Sequence, residues 1–365
     1  MAFYFFSFIF LLIPAIHEIE HYPKIKSNKI FYLTPLLLFF IGFRDQIGCD
    51  WASNLRNFNY YSDLNFLDYL YQNTNFEKFL YEQEIGYAFI NIFIGLFTKS
   101  FYIFNFFLSC IFTIPLIYFC SKLKRPFLTL LISFPYYITI IGMGPLKQSL
   151  AISFLLLAFH ELQSNNIFKY FLLNSISILF HRSSIIFILL PLLVKDKLRN
   201  SKIISNKFFY LSLFVFLLIS IFIQKESFSR LIIGYFVIRP QDHFLNTIYL
   251  WTLVSYPSII YLFFKNKFKS LNLKNNMWEI LSISSIFIIL GTFINSTITL
   301  RLILYFYPLK LFLISNIPDL KILNIGKKNM SYLLIFFSIF QLTTWLAFAN
   351  HAYCWVPYKN IIFSS

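Results

Sequence analysis

The chain has 365 residues, 58% of them hydrophobic, 22% aromatic and only 13% charged. A soluble domain carries roughly a quarter charged residues, so this composition excludes a single water-soluble core. The formal net charge is +16; in a soluble protein that would raise nucleic acid as a partner. Here the lysines sit in short loops between apolar runs, which is how orientation in a membrane is set, and no nucleic-acid partner is expected.

Apolar runs fall near 2–16, 30–43, 85–98, 101–121, 126–142, 145–162, 167–180, 183–194, 207–223, 247–264, 278–295, 299–315 and 331–348. They predict an all-α, polytopic helical integral membrane protein. The expected count is about 11 to 13 membrane segments, some short or re-entrant, since a full span takes roughly 20 residues. The first run, MAFYFFSFIFLLIPAI, lacks a basic leader region and a small-residue cleavage site, so it reads as a first membrane helix. His181-Arg182 divides 167–180 from 183–194, which predicts a hairpin or a broken helix. The whole chain, 1–365, reads as one transmembrane domain with an outer loop at 44–84 and a second at 224–246. The cysteines at 49, 110, 120 and 354 show no CxxC spacing and predict no metal site.

Basic loops lie at 22–29, 121–125, 195–207, 265–274 and 321–328. Placing all five in the cytoplasm puts 44–84, 142–146, the region of His181, 224–246, 296–299 and the tail from 349 outside. Two apolar runs then separate Arg44 outside from 121–125 inside, where parity demands an odd number of crossings. The run 85–98 is therefore expected not to cross, and to lie at the interface or re-enter from the outer side. This partition also sorts the cations. Of eight arginines, Arg44, Arg56, Arg182, Arg230, Arg239 and Arg301 fall outside, while most lysines fall inside.

Orientation does not explain outer arginine. The guanidinium is a permanent cation with a planar fork suited to phosphate or carboxylate. A charge near lipid costs at least ~2.5 kcal/mol unless it is paired or faces water. Local acids such as Asp45, Asp50 and Asp63 are one source of partners. An anionic ligand reached from the outer face is the other, and a lipid diphosphate fits, with its polyanionic head and a tail in the bilayer.

The polar stretches agree with that ligand. GMGPLKQSLAISF (142–154) opens a helix whose first-turn N–H groups favour an anion. Lys147 opposes the dipole there, as a ligand-facing cation or as a snorkelling lysine. ILFHRSSII (178–186) sets His181 and Arg182 at a break, and NSTITLRLILYFYP (295–308) sets Arg301 about one turn into its run. FVIRPQDHF (236–244) adds Arg239, and ANHAYCWVPY (349–358) adds aromatics that read as interface anchors or, more sharply, as a sugar platform.

These residues carry a resemblance. FRDQIGCDWASNLRNFNYY, with Arg44, Gly48, Asp50, Trp51 and Tyr60 or Tyr61, resembles the first outer loop of O-antigen and exopolysaccharide polymerases of the Wzy and EpsG-like type. QEIGYAFIN is similar to their Glu-x-Gly-Tyr stretch through Glu84, Gly86 and Tyr87. GPLKQSLA resembles an Arg-Gln-x-(Ile/Leu)-Ala segment through Gln148 and Ala151, with Lys147 where the family usually has arginine. Phe180, His181 and Ser183 match a Phe-His-x-Ser segment, and Arg301 a later helix start. The ordered match spans about residues 40 to 310.

The resemblance implies a glycan polymerase in a bacterial inner (cytoplasmic) membrane, with its active site on the periplasmic face. It would move a glycan from undecaprenyl diphosphate onto a lipid-linked repeat unit, beside a partner protein that sets chain length. On that basis Arg44, Lys147, Arg182 and Arg301 are expected to bind the diphosphate, and Gln148, Arg239 and Tyr87 the glycan. Asp50 and His181 are the candidates for the base, unranked by the sequence. Asp45 is expected to hold Arg44. No cofactor is demanded, although Mg²⁺ bridging the diphosphate to Asp50 stays open. The rival readings are a flippase or transporter, an O-antigen ligase, and a membrane O-acyltransferase, which the outer placement disfavours.

Overall fold

The computed structural model describes residues 1–23, 27–65, 84–194, 256–269, 276–291, 296–320 and 322–363. Among these residues the protein is helical without strands, apart from an isolated antiparallel bridge between Arg44 and Asn360. Ala2–His21, Phe101–Ser121, Thr299–Leu320 and Lys327–Phe348 are long and apolar enough to cross a membrane. Shorter apolar helices at Ser27–Gly42, Ile85–Gly95, Pro126–Ile141, Ile167–Phe180, Arg182–Leu193 and Met277–Leu290 pack with them. The fold is that of a polytopic helical membrane protein. Its outward faces are apolar, with Phe6, Ile13, Phe107, Phe168, Phe336 and Phe340 exposed where lipid would lie.

Pro126–Ile141 runs through the middle, with nearly every side chain buried. Its second half, Phe134–Ile141, is π-helical, with Pro135 in its first turn, where it has no N–H to give to an α-pattern. The segment stops at Gly142-Met143-Gly144-Pro145, and Leu146–Gln163 then returns. Ile167–Phe180 packs along that helix, with Ser177 donating to the Ala151 carbonyl. At His181 the backbone becomes extended (φ −156°, ψ 116°) and the chain doubles back. Tyr170 donates to the Phe187 carbonyl, so the short helix Arg182–Phe187 lies beside the one before it. Of the two arrangements open from sequence, this is the hairpin.

The bundle has two chemically different ends. At one, Arg125 meets Asp319 at 2.8 Å, and the same carboxylate takes Lys327 at 3.1 Å and Lys124 at 3.6 Å. Arg125 also lies over the Tyr22 ring, Lys328 pairs with Glu20, and Lys267 donates to the Leu320 carbonyl. At the other end lie Arg44, Asp50, Lys147, His181, Arg182 and Arg301. Arg199, Arg230, Arg239 and the loop 224–246 fall outside the described residues.

Ile85–Gly95 has 11 residues, about 16 Å of helix, too short for a crossing. The residues that flank it return to the same polar segment, with Lys99 on Asp63 (2.9 Å) and Tyr102 on Asp45 (2.9 Å). Its outer side shows Phe89, Phe93, Leu96 and Phe97 to the surroundings.

The first polar segment is bound to the C-terminal one. Gly48 N–H donates to Cys354, Asp45 N–H to Lys359 and Ile361 N–H to Phe43. Cys49 and Cys354 form a disulfide, 305 residues apart in sequence. The tail aromatics expected at the interface turn inward instead. Trp355 is buried and donates to the Thr139 carbonyl (2.9 Å). Tyr358 stacks on Phe3 and Phe40 and donates to the Phe40 carbonyl. Backbone groups left bare by the ends of helices explain the inward turn, because in apolar surroundings they must find donors.

Gly48 makes this junction possible. Its φ is +98°, and a Cβ there would stand 2.2 Å from the Met143 carbonyl oxygen. Gly48→Ala is expected to lower stability by at least ~2 kcal/mol through strain and clash. Gly326→Ala, with nothing within 4 Å, is the clash-free comparison, expected to cost only about 0.5–1 kcal/mol for replacing glycine by alanine at a helix N-cap. Thermal unfolding of the detergent-solubilised variants checks both.

Candidate functional site

Three turns of chain build the site at the polar end. Leu146–Gln163 starts just after Pro145 and carries Lys147 and Gln148 in its first turn. The hairpin tip presents His181 and Arg182. Ser296–Ile303 carries Arg301, and Tyr305 follows four residues later. Gln148 joins the first of these turns to the third by donating from Nε2 to the Arg301 carbonyl (2.6 Å). Arg301, Lys147 and Arg182 all lie close enough to His181 to act on its charge.

The cover is a fourth element, the start of Ile85–Gly95. Glu84 at its N-terminus reaches Arg182 twice, from Oε2 to Nε at 3.4 Å and from Oε1 to the backbone N–H at 3.4 Å. Gly86 allows that approach. A Cβ on it would come within 3.0 Å of the Leu179 backbone, in the last turn before the hairpin tip. Tyr87 is fully buried, donates to Asn54 (2.9 Å) and offers its ring to Lys147, whose Nζ is 5.1 Å from the centroid. That arrangement is a cation–π contact. Asp50, at the start of the helix Trp51–Ser62, makes no capping bond with its side chain; its carboxylate is exposed and acts on Lys147.

The electrostatics follow from this crowding. His181 is pushed down to about 4, by burial first and then by Arg301, Lys147 and Arg182. It is therefore a neutral imidazole at neutral pH. The Tyr305 hydroxyl lies 2.6 Å from its Nδ1 and also hydrogen-bonds Ser183. The direction of the Tyr305–His181 bond depends on the imidazole tautomer; with the phenol as donor, the ring proton sits on Nε2 and His181 has an N–H to offer. Glu84 is pushed up to about 7, because burial outweighs Arg182, its own hydrogen bond and Lys147. The folded protein holds that proton up to about pH 7 and the unfolded chain only to about 4.5. Ionising Glu84 therefore lowers stability as pH rises through that window.

Arg44 has a different setting from the other three cations. It follows the C-terminus of Thr34–Gly42, is buried, and gives Nη1 to the Ile41 carbonyl (2.6 Å). A cation at that position answers both the bare carbonyls and the helix dipole. Its guanidinium sits 5.6 Å from the Trp51 ring centroid and near the hydroxyls of Tyr358, Tyr4 and Tyr87. Burial pushes it down to about 10, so it stays charged at neutral pH. Asp45 does not hold it; Asp45 accepts from Tyr102 instead.

The structure thus brings Asp50, Tyr87, Lys147, Gln148, His181, Arg182 and Arg301 to one region. It sets Arg44 beneath Tyr87, and Arg239 lies outside the described residues. Glu84, Tyr305 and Ser183 were given no role by the sequence. The i, i+4 spacing of Arg301 and Tyr305 is the signal for one of them, and the acid immediately before an apolar run the signal for another.

A helical membrane bundle with a cation-lined site at one end defines the class of protein. Within that class the EpsG family profile matches residues 29–360, and the chain belongs to the EpsG family. Membership points to polysaccharide polymerisation. No curated protein and no solved structure matches the chain.

Gly86→Ala is expected to push Glu84 off Arg182 and to reduce polymer formation several-fold, with a loss of stability of about 1–3 kcal/mol. Polymer yield and thermal unfolding, measured on the same preparation, check it.

Proposed function

We propose that the protein is a glycan polymerase of the extracytoplasmic leaflet. It transfers a growing glycan from undecaprenyl diphosphate to the terminal sugar of a lipid-linked repeat unit. The observation that carries this reading is the convergence of Lys147, Arg182 and Arg301 on His181 at one end of a membrane bundle. Three cations with the neighbouring carboxylate Glu84 suit a polyanion whose tail stays in lipid.

Two further features support the outward orientation. Lys124, Arg125, Lys267, Lys327 and Lys328 lie at the opposite end, as positive charge does on the cytoplasmic side. The disulfide Cys49–Cys354 lies at the site end, and such bonds persist in oxidising compartments.

The chemistry follows from the charges. The transition state is an oxocarbenium-like sugar with negative charge growing on the departing diphosphate. Lys147, Arg182 and Arg301 meet that charge as fixed cations. His181 donates from Nε2–H to the same oxygens. Gln148 holds the Arg301 backbone, and Arg44 fixes the base of the cover. Arg239 is kept as a glycan contact.

Complementation of a strain lacking the polymerase tests this. Arg182→Ala and Arg301→Ala are each expected to lower polymer about 10²-fold or more, at normal protein level. Accumulated single repeat units would mark a polymerase; an unchanged ladder in both variants would overturn the reading. Orientation has its own check. A cysteine at position 183, in a background without Cys110 and Cys120, should react with an impermeant maleimide added from outside.

A further inference from the structure

Resting on that reading, we propose that Glu84 is the general base that takes the proton of the acceptor hydroxyl. The argument begins with how charge is divided among the elements. The cations come from the helix Leu146–Gln163, the hairpin tip and the helix Ser296–Ile303. The carboxylates Asp50 and Glu84 come from the first polar segment and the start of Ile85–Gly95, which cover the site. Glycosyl transfer needs that polarity, positive where the diphosphate leaves and negative where the hydroxyl attacks. Glu84 lies at the seam between the two sets, bonded across it to Arg182.

The other acceptors suit the role less. Asp50 is exposed at the mouth, where water competes for it. His181 has Nδ1 engaged by Tyr305, and burial beside three cations holds its proton affinity down to about 4, too weak for the role. Glu84 keeps only 17% of its side-chain surface exposed. The charged and titratable groups that face it are Arg182 and Lys147, with Tyr305 also in range. Burial already places its proton affinity near neutrality, where a base works best.

Donor binding would complete the base. When the diphosphate takes over the Arg182 guanidinium, the Glu84 carboxylate loses its closest cation, and its affinity for a proton rises. The acceptor oxygen then bonds to the anomeric carbon of the donor sugar. The bond from that carbon to the diphosphate oxygen breaks, and its electron pair leaves on the phosphate. The hydroxyl proton goes to the Glu84 carboxylate and passes to water when undecaprenyl diphosphate departs. Nothing is oxidised or reduced.

The test uses the full chain in lipid nanodiscs, with lipid-diphosphate-linked repeat units extracted from a polymerase-deficient strain. Wild-type kcat/KM should rise with pH along a limb near 7, and kcat along a limb shifted upward by donor binding. Glu84→Gln, which keeps the shape, should lower kcat about 10²-fold or more and erase both limbs. Binding of undecaprenyl diphosphate by this variant should stay equal or become tighter. Glu84→Asp should restore part of the rate together with the limbs. A Glu84→Gln enzyme with kcat within about threefold of wild type, with the limbs still present, or with a loss carried by KM alone would overturn the proposal. The carboxylate would then be only the counter-ion of Arg182. Failure of the underlying reading looks different: wild-type protein would neither bind undecaprenyl diphosphate nor extend the repeat units.

Discussion

A guanidinium in apolar surroundings has to be answered by an anion, and that constraint organises this protein. Lys147, Arg182 and Arg301 converge on one imidazole, yet the stretches 146–149, 181–184 and 299–303 that bear them contain no carboxylate. The acid that meets Arg182 is brought by another helix. In this structure Glu84 closes the site by pairing with Arg182.

The fold holds this arrangement by local devices. The extended residue at His181 turns two short helices into a hairpin whose tip points at the site. Pro145 starts a helix with Lys147 in its first turn, and the π-helical stretch before it ends at Gly142. Gly86 lets the covering helix touch the tip, and Tyr87 carries Lys147 on its face. The opposite end is tied by Asp319, whose carboxylate gathers Arg125, Lys124 and Lys327. That one carboxylate is shared by three cations, so ion pairing ties this end together without neutralising it.

Much of this was legible in the sequence because lipid leaves few choices. Apolar runs mark helices, and charged residues mark their ends. His181, Arg182, Lys147 and Arg301 stood out because each is a polar group at a break or helix start. Arg44 looked the same by that criterion, yet it caps the carbonyls of its own helix; whether a cation serves a helix end or a ligand depends on tertiary neighbours. Glu84 was easy to pass over because its worth comes from burial against Arg182, which spacing does not reveal. The bond between Cys49 and Cys354 was invisible for a similar reason, since no short-range pattern links positions so far apart.

That covalent tie has a consequence for how the protein is made. One partner is near the beginning of the chain and the other near its end, so the ring can close only after every intervening helix has been threaded into the bilayer. The polar junction that carries Gly48, Asp50 and Arg44 is consequently sealed last, by whatever thiol oxidant the compartment offers. A cell short of that oxidant would hold inserted copies whose roof is fastened by hydrogen bonds alone.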